Sequence, residues 1–146
     1  MTAQWTWRAG ALTNAEGHEL ASVRDGVLAT AAGERLAVES SLDSSSPRFF
    51  LRAQTAAGED FSVTQAGITV TRLRATCADR EYLLERRNPF RRKRRIVARG
   101  TGAEVASTAP AGDSLRVSVG ELPELDAIFL SYACLLLDAT PRTLRT

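Results

Sequence analysis

The sequence predicts a mainly β protein: a closed antiparallel β-barrel of about 11 to 12 strands around a buried C-terminal helix at about residues 121–138. Three observations carry this reading. Turn-forming residues recur at short, even intervals as far as Gly120. Between them lie short segments in which apolar and polar residues alternate with period two. Beyond Gly120 the period changes to that of a helix that is apolar all round, and such a helix has to be enclosed.

In chain order, Trp5 and Trp7 stand two apart, with Arg8 alternating against them. That spacing places both indoles on one face of a first strand, as sheet core or rim packing. Residues 13–17, Asp25-Gly26 and Ala32-Gly33 break the first quarter of the chain, and residues 43–47, 57–60 and Ala66-Gly67 break the second. Residues 43–47 form the loop expected to be most flexible. Residues 61–64, 68–73 and 115–119 alternate cleanly, the pattern of half-buried antiparallel strands that are wet on one side. Ala78-Asp79, Asn88-Pro89, residues 100–102 and residues 109–113 supply the remaining turns.

The helix opens with Pro123 in its first turn and with Glu121, Glu124 and Asp126 near the positive end of its dipole. Ile128, Phe129, Leu130, Tyr132, Leu135, Leu136 and Leu137 then point in every direction around the axis. A sheet on one side would leave about half of this surface in water. A barrel closed around it buries the helix and removes the open sheet edges together. Ser131, Tyr132 and Cys134 are the mildly polar members and need partners inside the barrel. Asp138 and Pro141 end the helix, with Arg142 and Arg145 placed to meet its last carbonyls. Its uncharged core, residues 127–137, is well short of the ~20 residues that span a bilayer, so the helix is core and not anchor.

The chain reads as a single domain over residues 1–146, with no linker and no low-complexity tract. Apolar residues make up 44% and charged residues 25%, and the net charge is only +2, which excludes a global field driving the chain onto nucleic acid or membrane. The distribution is uneven. Residues 80–99 hold nine cations against Glu81 and Glu85, a balance of +7 that leaves −5 on the rest. Lys93 is the single lysine among 19 basic residues, a bias typical of GC-rich bacterial genomes. Cys77 and Cys134 read as two reduced, buried thiols, which points to the cytoplasm, with peripheral membrane contact as a further expectation.

A Tyr-x-Leu strand (Tyr82 to Leu84), a basic Asn-Pro-aromatic-Arg-Arg turn (Asn88 to Arg92), a Leu-Arg-Val-x-Val-Gly strand (Leu115 to Gly120) and a Leu-Asp-Ala-hydrophobic helix (Leu125 to Leu130) follow one another. This succession resembles the tubby-like barrel shared by tubby C-terminal domains, phospholipid scramblases and LURP-one-related proteins, and most of all the small bacterial LURP-one-related members. The resemblance is local over residues 82–138 and architectural over residues 5–76. It implies twelve strands around a helix. Tubby domains bind phosphoinositides through basic residues, but their binding positions do not transfer residue by residue to this chain.

The basic turn is the candidate site. Arg86, Arg87, Arg91, Arg92, Lys93, Arg94 and Arg95 surround Asn88, Pro89 and Phe90 at an expected hairpin tip. Guanidinium forks match phosphate oxygens, and several on one loop suit an anionic phospholipid surface or another phosphorylated ligand, with Phe90 dipping among the headgroups. On that reading Arg91, Arg92, Arg94 and Arg95 are dispensable for folding. The alternative is a structural hairpin whose arginines pair with Glu81, Glu85 or acids of neighbouring strands. A protein-interaction scaffold, whose basic edge meets an acidic protein, is the second functional reading. Nucleic acid is a poor fit, because the loop lacks an interleaved aromatic platform and no recognition helix is available.

Catalysis has little to rest on. His18, the single histidine, lies in a turn beside Glu19, and no His/Cys cluster has metal spacing. Residues 100–102 form a hairpin turn and not a phosphate loop, since no helix follows them. The expectation is a non-enzymatic protein with no metal and no cofactor.

Overall fold

The computed structural model describes residues 2–43, 46–88 and 91–139 of the 146-residue chain. Twelve strands form the wall: β1 (Ala3–Arg8), β2 (Ala11–Asn14), β3 (Glu19–Arg24), β4 (Val27–Thr30), β5 (Arg35–Ser40), β6 (Phe50–Gln54), β7 (Asp60–Gln65), β8 (Arg72–Cys77), β9 (Arg80–Arg86), β10 (Arg94–Ala98), β11 (Glu104–Ala111) and β12 (Ser114–Val119). Each pairs antiparallel with its neighbour in sequence, and β1 closes the barrel on β12, with Ala3 opposite Val119 and Trp7 opposite Leu115. No strand of this meander is left as a free edge, so every strand's backbone groups find partners within the barrel.

The helix α1 (Glu124–Cys134) continues as a wider π-type turn over Leu135–Ala139. Pro123 is its N-cap, one residue outside the first turn in which the sequence placed it. The helix occupies the lumen: Ile128, Phe129, Leu130, Ala133 and Cys134 are buried, as are the inward residues Trp7, Leu12, Leu28, Leu51, Val63 and Val117 of the wall. Phe129 meets Phe61 edge-on, with ring centroids 5.5 Å apart. Ser131 receives a hydrogen bond from the Trp7 indole (Nε1 to Oγ, 2.8 Å) and gives one to the Ile128 carbonyl, so the helix hydroxyl is satisfied inside the barrel. Gly120 marks the point where the chain leaves the wall for the lumen. A Cβ there would stand 2.9 Å from the Val105 carbonyl oxygen, too close for any side chain.

One expected strand is corrected. Alternation over residues 68–73 predicted a half-buried strand, but β8 starts only at Arg72 and Ile68 is 94% exposed. Side chains take the carbonyls that a ladder would otherwise use. The Gln65 amide donates to the carbonyls of Gly67 (3.0 Å) and Ile68 (2.6 Å), and Arg48 Nη2 donates to that of Gly67 (2.9 Å). Ser44, Ser45, Pro141, Arg142 and Arg145 lie outside the described residues.

Candidate functional site

Strand β9 positions the charged groups of both barrel ends. Period two turns Arg80, Tyr82, Leu84 and Arg86 towards the lumen and Glu81, Leu83 and Glu85 outward. Arg80 and Arg86 are six residues apart, ~20 Å along a strand. Asp126 and Asp138 are twelve apart, ~18 Å along a helix. The helix runs parallel to β9, and the two spacings match.

At the helix N-terminal end, Arg80 grips Asp126 with two donors, Nε to Oδ2 at 2.7 Å and Nη2 to Oδ1 at 2.9 Å. The Tyr82 hydroxyl donates to the same Oδ2 at 2.5 Å. Burial pushes the Tyr82 phenol well above its ordinary range, and its hydrogen bond to Asp126 adds to the effect. Burial likewise raises the neighbouring Cys77 thiol, reinforced by the Asp126 charge. Arg80 is raised by its hydrogen bond to Asp126.

At the other end, Arg94 places Nε 2.5 Å from Asp138 Oδ2 and Nη2 3.1 Å from Oδ1, and both side chains are wholly buried. Arg86 Nη2 donates to Oδ1 of the same carboxylate at 2.8 Å. Arg92 Nη1 reaches the Asp138 carbonyl at 3.3 Å, and Arg94 Nη1 reaches the Thr71 carbonyl at 3.3 Å. Twelve purely α-helical residues would leave the two carboxylates about 120° apart around the axis. The wider last turn advances less per residue and swings Asp138 back towards the β9–β10 pair.

The seven cations singled out in the sequence therefore divide. Arg94 is corrected as a surface ligand: it is enclosed, and its partner is Asp138. An enclosed arginine paired with a buried carboxylate is at odds with the expectation that it can be lost without cost to folding. Arg86 is 15% exposed and Arg92 half-buried, both committed to Asp138 on one side. On the outer face Arg95 pairs with Glu85 (Nε to Oε1, 2.7 Å) and Arg87 with Glu104. Arg91 and Lys93 are exposed and form no ion pair with a described residue. Phe90, the expected membrane contact, lies outside the described residues.

Glu85, Arg86, Arg87 and Arg95 line an open recess of about 420 Å³. A second recess of about 330 Å³ adjoins it across Glu85 and Arg86, walled by Arg72 and by the loop that carries Thr69 and Thr71. Arg86 Nε has no hydrogen-bond partner among the described residues. The lining sets three guanidiniums against one carboxylate, a cationic balance that suits an anion, although Arg86 Nε is enclosed and Arg86, Arg87 and Arg95 already pair with Asp138, Glu104 and Glu85.

The surroundings extend this asymmetry. Connections at the Asp138 end of the barrel carry Arg48, Arg87, Arg91, Arg92 and Lys93 against Asp25, Asp43 and Asp113, with Arg8, Arg24 and Arg72 at adjoining strand ends. Connections at the Asp126 end carry Glu16, Glu34, Glu59, Asp79 and Glu121. One end of the barrel is basic and the other acidic. Among the described residues no group of three His, Cys, Asp or Glu could hold a metal ion, and no helix is long and apolar enough to cross a membrane.

No protein-family model matches the chain. No curated protein sequence matches it. Among solved structures, the X-ray structure of a protein from Arabidopsis thaliana superposes with a TM-score of 0.60 over 99% of this chain and 92% of that one, at 13% identity. The likeness is one of fold. The plant protein shares the architecture across nearly its whole length.

The sequence missed the two helix carboxylates, reading Asp126 as a dipole partner and Asp138 as a terminator. The signal was present as the matched spacings of two carboxylates on the helix and two arginines on a strand.

Proposed function

We propose that this chain is a non-enzymatic barrel module of the tubby-like, LURP-one-related kind that meets an anionic phospholipid surface through its basic end. The observation that carries the reading is the recess at Glu85, Arg86, Arg87 and Arg95, together with the exposed Arg91 and Lys93 on the β9–β10 connection of the same barrel end. Once the internal needs of the fold are met at Asp138, cations remain that no described acid neutralises. Each exposed Lys or Arg near an anionic bilayer contributes about 1 kcal/mol, and that attraction decays within a Debye length of about 10 Å at 0.1 M salt.

The test is co-sedimentation with vesicles of graded anionic lipid content at low and physiological salt. Binding that grows with anionic content, weakens with salt and falls about a hundredfold in Arg87→Ser/Arg91→Ser/Lys93→Ser supports the reading. The triple variant leaves Asp138 and its partners intact, so loss of binding is not loss of fold. Absence of binding at either salt overturns it in favour of a scaffold for an acidic protein partner.

A further inference from the structure

The exposed large apolar side chains among the described residues are Leu42, 55% exposed, and Ile68, 94% exposed. Both sit in connections at the basic end of the barrel, Leu42 between β5 and β6 and Ile68 between β7 and β8. An isolated exposed apolar residue needs no explanation. Two that share the end bearing the unneutralised cations do.

The loop bearing Ile68 is held from both sides. Arg48, in the β5–β6 connection, donates to the carbonyls of Gln65 (3.2 Å) and Gly67 (2.9 Å). On the other flank the Thr71 carbonyl accepts from the Arg86 amide (2.9 Å) and from Arg94 Nη1 (3.3 Å). The Thr69 and Thr71 hydroxyls are hydrogen-bonded to each other. Ile68 therefore projects from a pinned turn, between Arg48 and Arg72, beside the recess that Arg86 lines. An apolar tip on a loop held by Arg48 and leading into Arg72, which lies 3.6 Å from Glu85 and is largely exposed, is complementary to an anionic bilayer, where cations meet phosphates and the tip enters the acyl boundary.

We infer that the β5–β6 and β7–β8 connections form the membrane-penetrating edge of this protein, with Ile68 as the principal inserting residue, so that the barrel docks end-on with the helix C-terminus facing the bilayer. This rests on the anionic-lipid reading above and adds to it a contact that a soluble inositol phosphate could not supply.

The experiment uses the full chain as Ile68→Cys, labelled with an environment-sensitive fluorophore. Cys77 and Cys134 are both buried, which makes the labelling selective. Phosphatidylserine–phosphatidylcholine vesicles should shift its emission to the blue, while phosphatidylcholine alone or soluble inositol hexakisphosphate should not. Ile68→Ser should weaken sedimentation with the anionic vesicles about tenfold without altering the near-ultraviolet circular dichroism, and Leu42→Ser should weaken it less. Vesicle binding with an unshifted probe and an unaffected Ile68→Ser variant overturns the insertion and leaves headgroup binding standing. Absence of any vesicle binding overturns both.

Discussion

At its N-terminal end the central helix offers Asp126 to one guanidinium and one phenol, whereas at its C-terminal end Asp138 takes two guanidiniums on its carboxylate and a third on its carbonyl. The helix dipole accounts for the difference. A carboxylate in the first turn is favoured by the unpaired N–H groups there, and a carboxylate in the last turn faces unpaired carbonyls. Asp138 sits where the dipole opposes it, and more cations are needed to hold it. The basic run in the sequence is thus two populations. Arg94, Arg86 and Arg92 hold the helix end; Arg91, Lys93, Arg87 and Arg95 remain on the surface, the last two paired with Glu104 and Glu85. A cluster of arginines alone says nothing about which is which.

The largest effect that tests this contrast is Asp138→Ala. It would leave Arg94 enclosed and Arg86 nearly so, each without its counter-charge, at a cost of about 3–5 kcal/mol. Urea unfolding monitored by tryptophan fluorescence reads it directly. In the double variant Arg94→Met/Asp138→Leu part of that loss should return, because the enclosed Arg94 charge is gone, while Arg86 still lacks its counter-charge. Asp126→Ala comes second, at about 2 kcal/mol, chiefly from leaving the buried Tyr82 hydroxyl unsatisfied. Arg80 is 39% exposed and can turn to solvent once released. Equal losses in the two alanine variants would break the comparison.

Much of the barrel was legible because its signals are local. Alternation placed β7 and β12, the turn residues divided the chain, and the all-round apolar helix demanded enclosure. The failures share one cause, that a side chain far away in sequence decides the matter. Alternation over residues 68–73 was a true pattern, but Arg48 and Gln65 claim the carbonyls and the segment becomes a loop. Strands β2 and β4 have four residues each, too few for alternation to mark them firmly. Arg94 and Arg95 are adjacent and chemically identical, yet one is buried and the other lies outside beside Glu85. Strand parity separates them, and parity becomes readable only once the register of β10 against β9 is known.

The smallest effect is a pH dependence that also separates the two ends. Burial pushes the Cys134 thiol up to about 12 from an ordinary 9.0, and Cys77 and Tyr82 move in the same direction. Each is neutral when protonated, so in alkali the unfolded chain loses these protons before the folded chain does. Their contribution is complete below about pH 9.0, the ordinary thiol value, and is lost progressively as the pH rises from there towards the folded-state values. At pH 10 the loss should be about 1 kcal/mol per buried thiol, read as the difference in urea stability between pH 7 and pH 10. Cys134→Ala and Cys77→Ala should each flatten the profile; profiles that coincide with the parent would show that the thiols ionise freely in the folded barrel. Removing either carboxylate lowers the thiol beside it, with one arginine left facing Cys77 and two left facing Cys134. Asp126 raises both Cys77 and Tyr82, opposed there by Arg80 alone, so Asp126→Ala should reduce alkaline sensitivity. Near Cys134 the charge of Asp138 is already countered by Arg94 and Arg86, which lower the thiol, so removing this carboxylate exposes the thiol to uncompensated cations. A Cys134 that then ionises earlier would show that Asp138 offsets the field of Arg94 and Arg86 at the thiol.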